Sequence, residues 1–167
     1  MRSFFLITFS LMLFSSCEIT VKKNESKEEA KPKIRNGITI QSKGISVQQA
    51  FLLKEDGSLL PDDNKVKVNE KINLRLVSSG WKEKDGKVFI DASEKMETNE
   101  GDIFLDKKNL FAAYTDGLSP EDAKYITLSV VITQINKLYD FYRVSFQVKD
   151  LTYPQNSVEG FYKLYIE

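Results

Sequence analysis

The 167-residue chain has no histidine and a single cysteine, Cys17. The first absence removes Ser-His-Asp and Cys-His nucleophilic machinery and nearly every zinc site, since these need imidazole or thiolate groups. The second leaves no thiol pair for a disulfide, so packing alone must hold the fold. No GxxxxGK[ST] or GxGxxG stretch occurs, which removes the argument for a phosphate-cradling loop. An excess of one charge is missing too: 24 Lys and Arg face 24 Asp and Glu, so nothing suggests a nucleic-acid surface. The chemistries left open are a carboxylate pair of the glycosidase type, a Ser-Lys arrangement, or an oxygen-liganded cation such as calcium.

What the chain does contain begins with "FFLITFSLMLFSSC", Phe4 to Cys17. Arg2 and the initiator amine put positive charge ahead of an apolar run, Phe4 to Leu13, interrupted only by Thr8 and Ser10. That is the charge order of a secretory signal. The run from Phe4 to Ser16 would make a helix of roughly 20 Å, whereas a bilayer core needs about 20 residues, so it is short for a permanent span.

The junction "FSSC", Phe14 to Cys17, resembles the lipobox of bacterial lipoproteins, in which an apolar residue and two small ones precede a lipidated cysteine. It departs from that pattern at Phe14, where an aliphatic residue is usual. The resemblance covers residues 1–17. It implies cleavage before Cys17, acylation there, and a membrane anchor in the cell envelope. Several acyl chains would hold firmly, since each buried methylene contributes about 0.8 kcal/mol. Glu18 is not the aspartate associated with inner-membrane retention, so in an organism with two membranes the outer one is expected. The alternative is an ordinary signal peptide that leaves Cys17 as a free thiol. In general look the chain is similar to small envelope lipoproteins of Bacteroidota-type bacteria, without a shared domain motif.

Three segments are expected: a signal peptide at 1–16, the lipidated cysteine with a charged tether at 17–36, and a folded domain at 37–167. The tether "EITVKKNESKEEAKPKIRN" has almost no large apolar side chain after Val21 and cannot bury enough surface to fold. From Gly37 onward the apolar period becomes two. Ile45, Val47, Phe51 and Leu53 share one parity; Ile72, Leu74 and Leu76 form a second set; Ile126, Leu128, Val130 and Ile132 a third. Tyr142, Val144, Phe146 and Val148, then Val158, Tyr162, Leu164 and Ile166, complete the pattern of half-buried strands. Shorter candidates at 87–90, 94–98 and 102–105 are separated by Asp85-Gly86, a strong hairpin signal, and by Glu100-Gly101. The fold class predicted is all-β, a single antiparallel β-sandwich of immunoglobulin-like or C2-like type. At most one short helix is expected, at "SPEDA", where Ser119 can cap and Pro120 takes the first helical position.

Candidate sites are few. Asp62, Asp63, Asp116 and Asp122 lie in two acidic loops that could converge on calcium, although Asp-Gly and Pro-Asp pairs also serve turns for backbone reasons. No cofactor is otherwise expected. Trp81 could stack on a sugar or a protein partner, or else cap one end of the core. Phe141 alternates with the inward set of its strand and should face outward with Arg143 and Ser145. Phe161 and Tyr165 lie on the parity opposite the core, so they either cover a second buried face or form a patch for an envelope protein or glycan. The function these features support is a lipid-anchored, non-catalytic binding or accessory module. The alternatives are a carbohydrate-binding or calcium-binding sandwich, a small carboxylate-dependent hydrolase, and a lipoprotein that inhibits another protein.

Overall fold

The computed structural model describes residues 31–133 and 137–167. Cys17, the apolar run before it and the tether as far as residue 30 lie outside the described residues. The strands are β1 (Lys33–Ile34), β2 (Thr39–Lys43), β3 (Ser46–Lys54), β4 (Lys65–Val66), β5 (Lys71–Ser79), β6 (Glu83–Lys84), β7 (Lys87–Val88), β8 (Ile90–Thr98), β9 (Ile103–Lys107), β10 (Tyr125–Val131), β11 (Tyr142–Asp150) and β12 (Ser157–Ile166). The first sheet runs β1-β3-β5-β10 and the second β2-β12-β11-β8-β9, with β4 beside β12. Two such sheets around one apolar core make an all-β sandwich. The long pairings are antiparallel, whereas β1 with β3 and β4 with β12 pair parallel.

Alternation decides which side chains fill the core. β5 buries Ile72, Leu74 and Leu76, β10 buries Ile126, Leu128 and Val130, and β11 buries Tyr142, Val144, Phe146 and Val148. β3 departs from the expected parity. Its register shifts between Val47 and Gln49, so the buried set runs Ile45, Val47, Ala50, Leu52, while Phe51 and Leu53 are only half-buried. A bulge adds one residue to one strand and turns every later side chain to the other face. On β12, Gly160 takes an inward position between Val158 and Tyr162. A Cβ there would lie 2.1 Å from the Thr39 carbonyl oxygen and 2.8 Å from the Phe146 ring, so glycine is what lets β2 lie against β12.

The turns follow their residues. Asp85 and Gly86 both have positive φ, 54° and 72°, and close the β6–β7 hairpin. The expected helix is a single 3₁₀ turn at Asp122–Lys124, where the Ser119 hydroxyl accepts a hydrogen bond from the Asp122 amide at 3.1 Å. The folded part starts earlier than Gly37, because Lys33 and Ile34 already pair with Gln49 and Ala50.

Two buried asparagines lock this start to the rest. Asn36 and Asn64 hold φ of 56° and 55°, a conformation that asparagine tolerates better than most side chains. The Asn36 side chain donates to the Leu60 carbonyl, the Pro61 carbonyl and Asn64 Oδ1, and accepts from the Leu52 amide. Asn64 in turn donates to the carbonyls of Asn36 and Lys163. The entry strand, the β3–β4 loop and β12 are thereby joined at one point.

Candidate ligand-binding face

Side chains of β11 and β12 that do not enter the core form the outer surface of the second sheet. Arg143 stands opposite Lys163, and Ser145 opposite Phe161. Phe161, Lys163 and Tyr165 alternate along β12, Phe141 precedes Arg143 at the start of β11, and the register joins aromatic and cation diagonally. The Arg143 guanidinium lies 4.0 Å from the centre of the Phe161 ring, and Lys163 Nζ lies 3.8 Å from that of Phe141. Each contact is worth about 0.5–1 kcal/mol at an exposed position, so the rings help to hold the cations against the sheet. Among the described residues, neither cation forms an ion pair with a carboxylate. Glu97, which stands across from Arg143 on β8, is held by Lys95 at 2.5 Å, and that hydrogen bond, with the charges of Lys95 and Arg143, keeps its carboxyl below the usual range.

A shallow depression of about 300 Å³ adjoins this pair, lined by Thr39, Gln41, Arg143, Ser145, Glu159 and Phe161. Glu159 accepts a hydrogen bond from Gln147 at 3.2 Å. Tyr165, 37% exposed, stands opposite Phe141 at one end of the face, following the β11–β12 register. Phe141, Phe161 and Tyr165 are thus brought to one surface, with two of them beneath cations. Arg143 and Lys163 were missed as site residues because their pairing depends on strand register, although the alternation "FYR" and "FYKLY" carried the signal.

Other predicted positions lie elsewhere. Trp81 is 9% exposed and its indole N–H donates to Ser78 Oγ at 3.0 Å, so it closes one end of the core and is not a surface contact. The neighbouring Asp150, fully buried, accepts from the amides of Lys82, Thr152 and Tyr153. The two acidic loops do not converge. Asp62 sits on the β1 side, where Arg35 and the Asn36 amide engage it, while Asp116 and Asp122 lie on the opposite side, near β10 and the Val88–Leu118 bridge. Asp122 is committed to Ser119, and among the described residues no three acidic side chains gather as a metal would need. The calcium expectation therefore loses its geometry.

One carboxyl behaves differently. Glu94 takes an inward position on β8, is 2% exposed, and has an Oε1 without a partner. Burial pushes its carboxyl up to about 7, partly offset by the Ser129 backbone. It faces core, not a cleft. The clefts at Asp91, Glu159 and Asp122 each hold that single carboxylate, so none assembles an acid and a base.

Fold and surface together define a β-sandwich with a cation-on-aromatic sheet face. The chain matches no family model and no curated protein. Among solved structures it is similar to one described as the crystal structure of the C-terminal domain of wzt, at a TM-score of 0.48 and 11% identity over 82% of each chain.

Proposed function

We propose that this protein is a lipid-anchored, non-catalytic binding module of the cell envelope, which holds its ligand on the outer face of the second sheet. The observation that carries the reading is the pair of cations, Arg143 and Lys163, each seated on a phenylalanine ring and neither in an ion pair among the described residues, although Glu97 stands across from Arg143. A guanidinium already seated on a ring loses less freedom when it takes up an anionic group by two hydrogen bonds. The hydroxyl and amide side chains of Thr39, Gln41 and Ser145 beside it suit a hydroxylated body. An acidic glycan combines both features. The anchor in this reading is Cys17 in "FSSC".

Titrating the full chain with polygalacturonate, and with dextran as the uncharged comparison, tests the reading. Binding of the acidic polymer is expected, weakened about tenfold or more by Arg143→Ala and similarly by Phe161→Ala, with thermal stability little changed. Equal binding of both polymers, or of wild type and Arg143→Ala, would remove this face as the site.

A further inference from the structure

A cleft of about 620 Å³ opens at the side of the sandwich between the margins of the two sheets, away from the outer face above. Ile34, Ile40, Ile45 and Val47 line it, with Ser42 and Pro32 at its walls. One margin is β2, which pairs with β12 along one side only. Among the described residues, no backbone or side-chain group hydrogen-bonds to the other side of Thr39–Lys43. On the other margin, β1 is only two residues long, and Pro32, which has no N–H to give, stands at its start. The sandwich thus has an open strand edge beside an apolar slot.

We infer that the free edge of β2 accepts an extended acidic and apolar segment of another protein by β-strand addition. An incoming strand would satisfy the unpaired backbone of Thr39–Lys43, and alternate side chains would enter the slot against Ile34, Ile40, Ile45 and Val47. Charge selects the kind of strand. Lys43 shares the outward parity of Thr39 and Gln41 on β2, where it would stand beside the outward side chains of an added strand, and Lys31 and Lys33 adjoin Pro32 and Ile34 in the chain; none has an ion-pair partner among the described residues, and no acidic residue lines the slot. A second copy of this chain would bring its own Lys31, Lys33 and Lys43 to the same junction, and lysines on an edge discourage that pairing. A partner strand with glutamate or aspartate on its outward positions meets the opposite condition.

The test uses the full chain and a short capped peptide alternating valine with glutamate, with a valine–lysine peptide as its counterpart. Exchange of the Thr39–Lys43 amides that point away from β12 should slow about tenfold or more on saturation with the acidic peptide, and little with the basic one. Reversing the rim charges with Lys33→Glu and Lys43→Glu, both at exposed positions, should invert that preference without changing the melting temperature. Exchange that the acidic peptide leaves unchanged would overturn the proposal. So would protection of those outward amides already present without peptide: if it is lost on changing Glu25, Glu28 and Glu29 to lysine, the chain's own tether occupies the slot. If that protection instead rises with protein concentration, a second copy does.

Discussion

Raising the pH from about 5 to about 8 will destabilise this protein, and replacing Glu94 will abolish most of that loss. Glu94 breaks the apolar set of β8, where Ile90, Ala92 and Met96 also point inward. The groups around it are the backbone of Ser129 on β10, the Phe146 ring on β11, the buried Tyr162 hydroxyl on β12, and the exposed Lys107 opposite it on β9. No cation compensates its charge in the core. Burial and the proximity of Glu94 push the Tyr162 hydroxyl up as well, and that hydroxyl has no hydrogen-bond partner.

The sign follows from proton binding. Below pH 4.5 folded and unfolded chains both hold the proton, and Glu94 makes no difference between them. Between 4.5 and about 7 the unfolded chain releases the proton while the folded one keeps it, so stability falls as pH rises. Above about 7 the loss is complete, ~3 kcal/mol at about 1.4 kcal/mol per pKa unit. Glu94→Met, which matches the apolar set of its strand, should therefore raise the melting temperature at pH 8 by roughly 10 °C and far less at pH 4.5. Thermal melts of wild type, Glu94→Gln and Glu94→Met across this range check the claim. Parallel curves for wild type and Glu94→Gln would contradict it.

Asn36→Ala should be the most damaging exchange of a small polar residue, at about 3–5 kcal/mol. The side chain makes four hydrogen bonds, and its removal leaves the Leu52 amide and the Leu60 carbonyl without those partners inside the fold. Alanine is also strained at a φ of 56°, whereas glycine is not. Urea unfolding should accordingly rank wild type above Asn36→Gly and Asn36→Gly above Asn36→Ala. An Asn36→Ala midpoint within error of wild type would show that the β3–β4 loop and β12 are held together without this lock.

The sandwich was legible where burial imposes a strict period. Ile72 to Leu76, Ile126 to Ile132 and Tyr142 to Val148 face the core as their alternation predicts, because each strand has one buried side. β3 was legible only in part, since a bulge at Gln48 changes parity without leaving a compositional mark. β1, β2 and β4 escaped notice because they are short or polar edge segments, whose pairing is set by neighbours brought from far along the chain. The outward parity of Phe141, Phe161 and Tyr165 was readable, but the diagonal seating of Arg143 and Lys163 required the β11–β12 register. Trp81 was open between two roles until the Ser78 hydroxyl and the buried Asp150 loop enclosed it. The acidic loops looked alike in sequence, yet the strand order separates them.

The proposed binding module of the envelope requires a tethered sandwich, so the anchor is the most direct point of attack. The measurement is the intact mass of the protein extracted from membranes, beside that of a Cys17→Ala variant. The account predicts a species that begins at Cys17 and carries acyl mass, found in the membrane fraction and absent from the variant. An unmodified mass, or a wild type as soluble as the variant, would contradict the tether and leave a freely diffusing binding domain with an unpaired thiol.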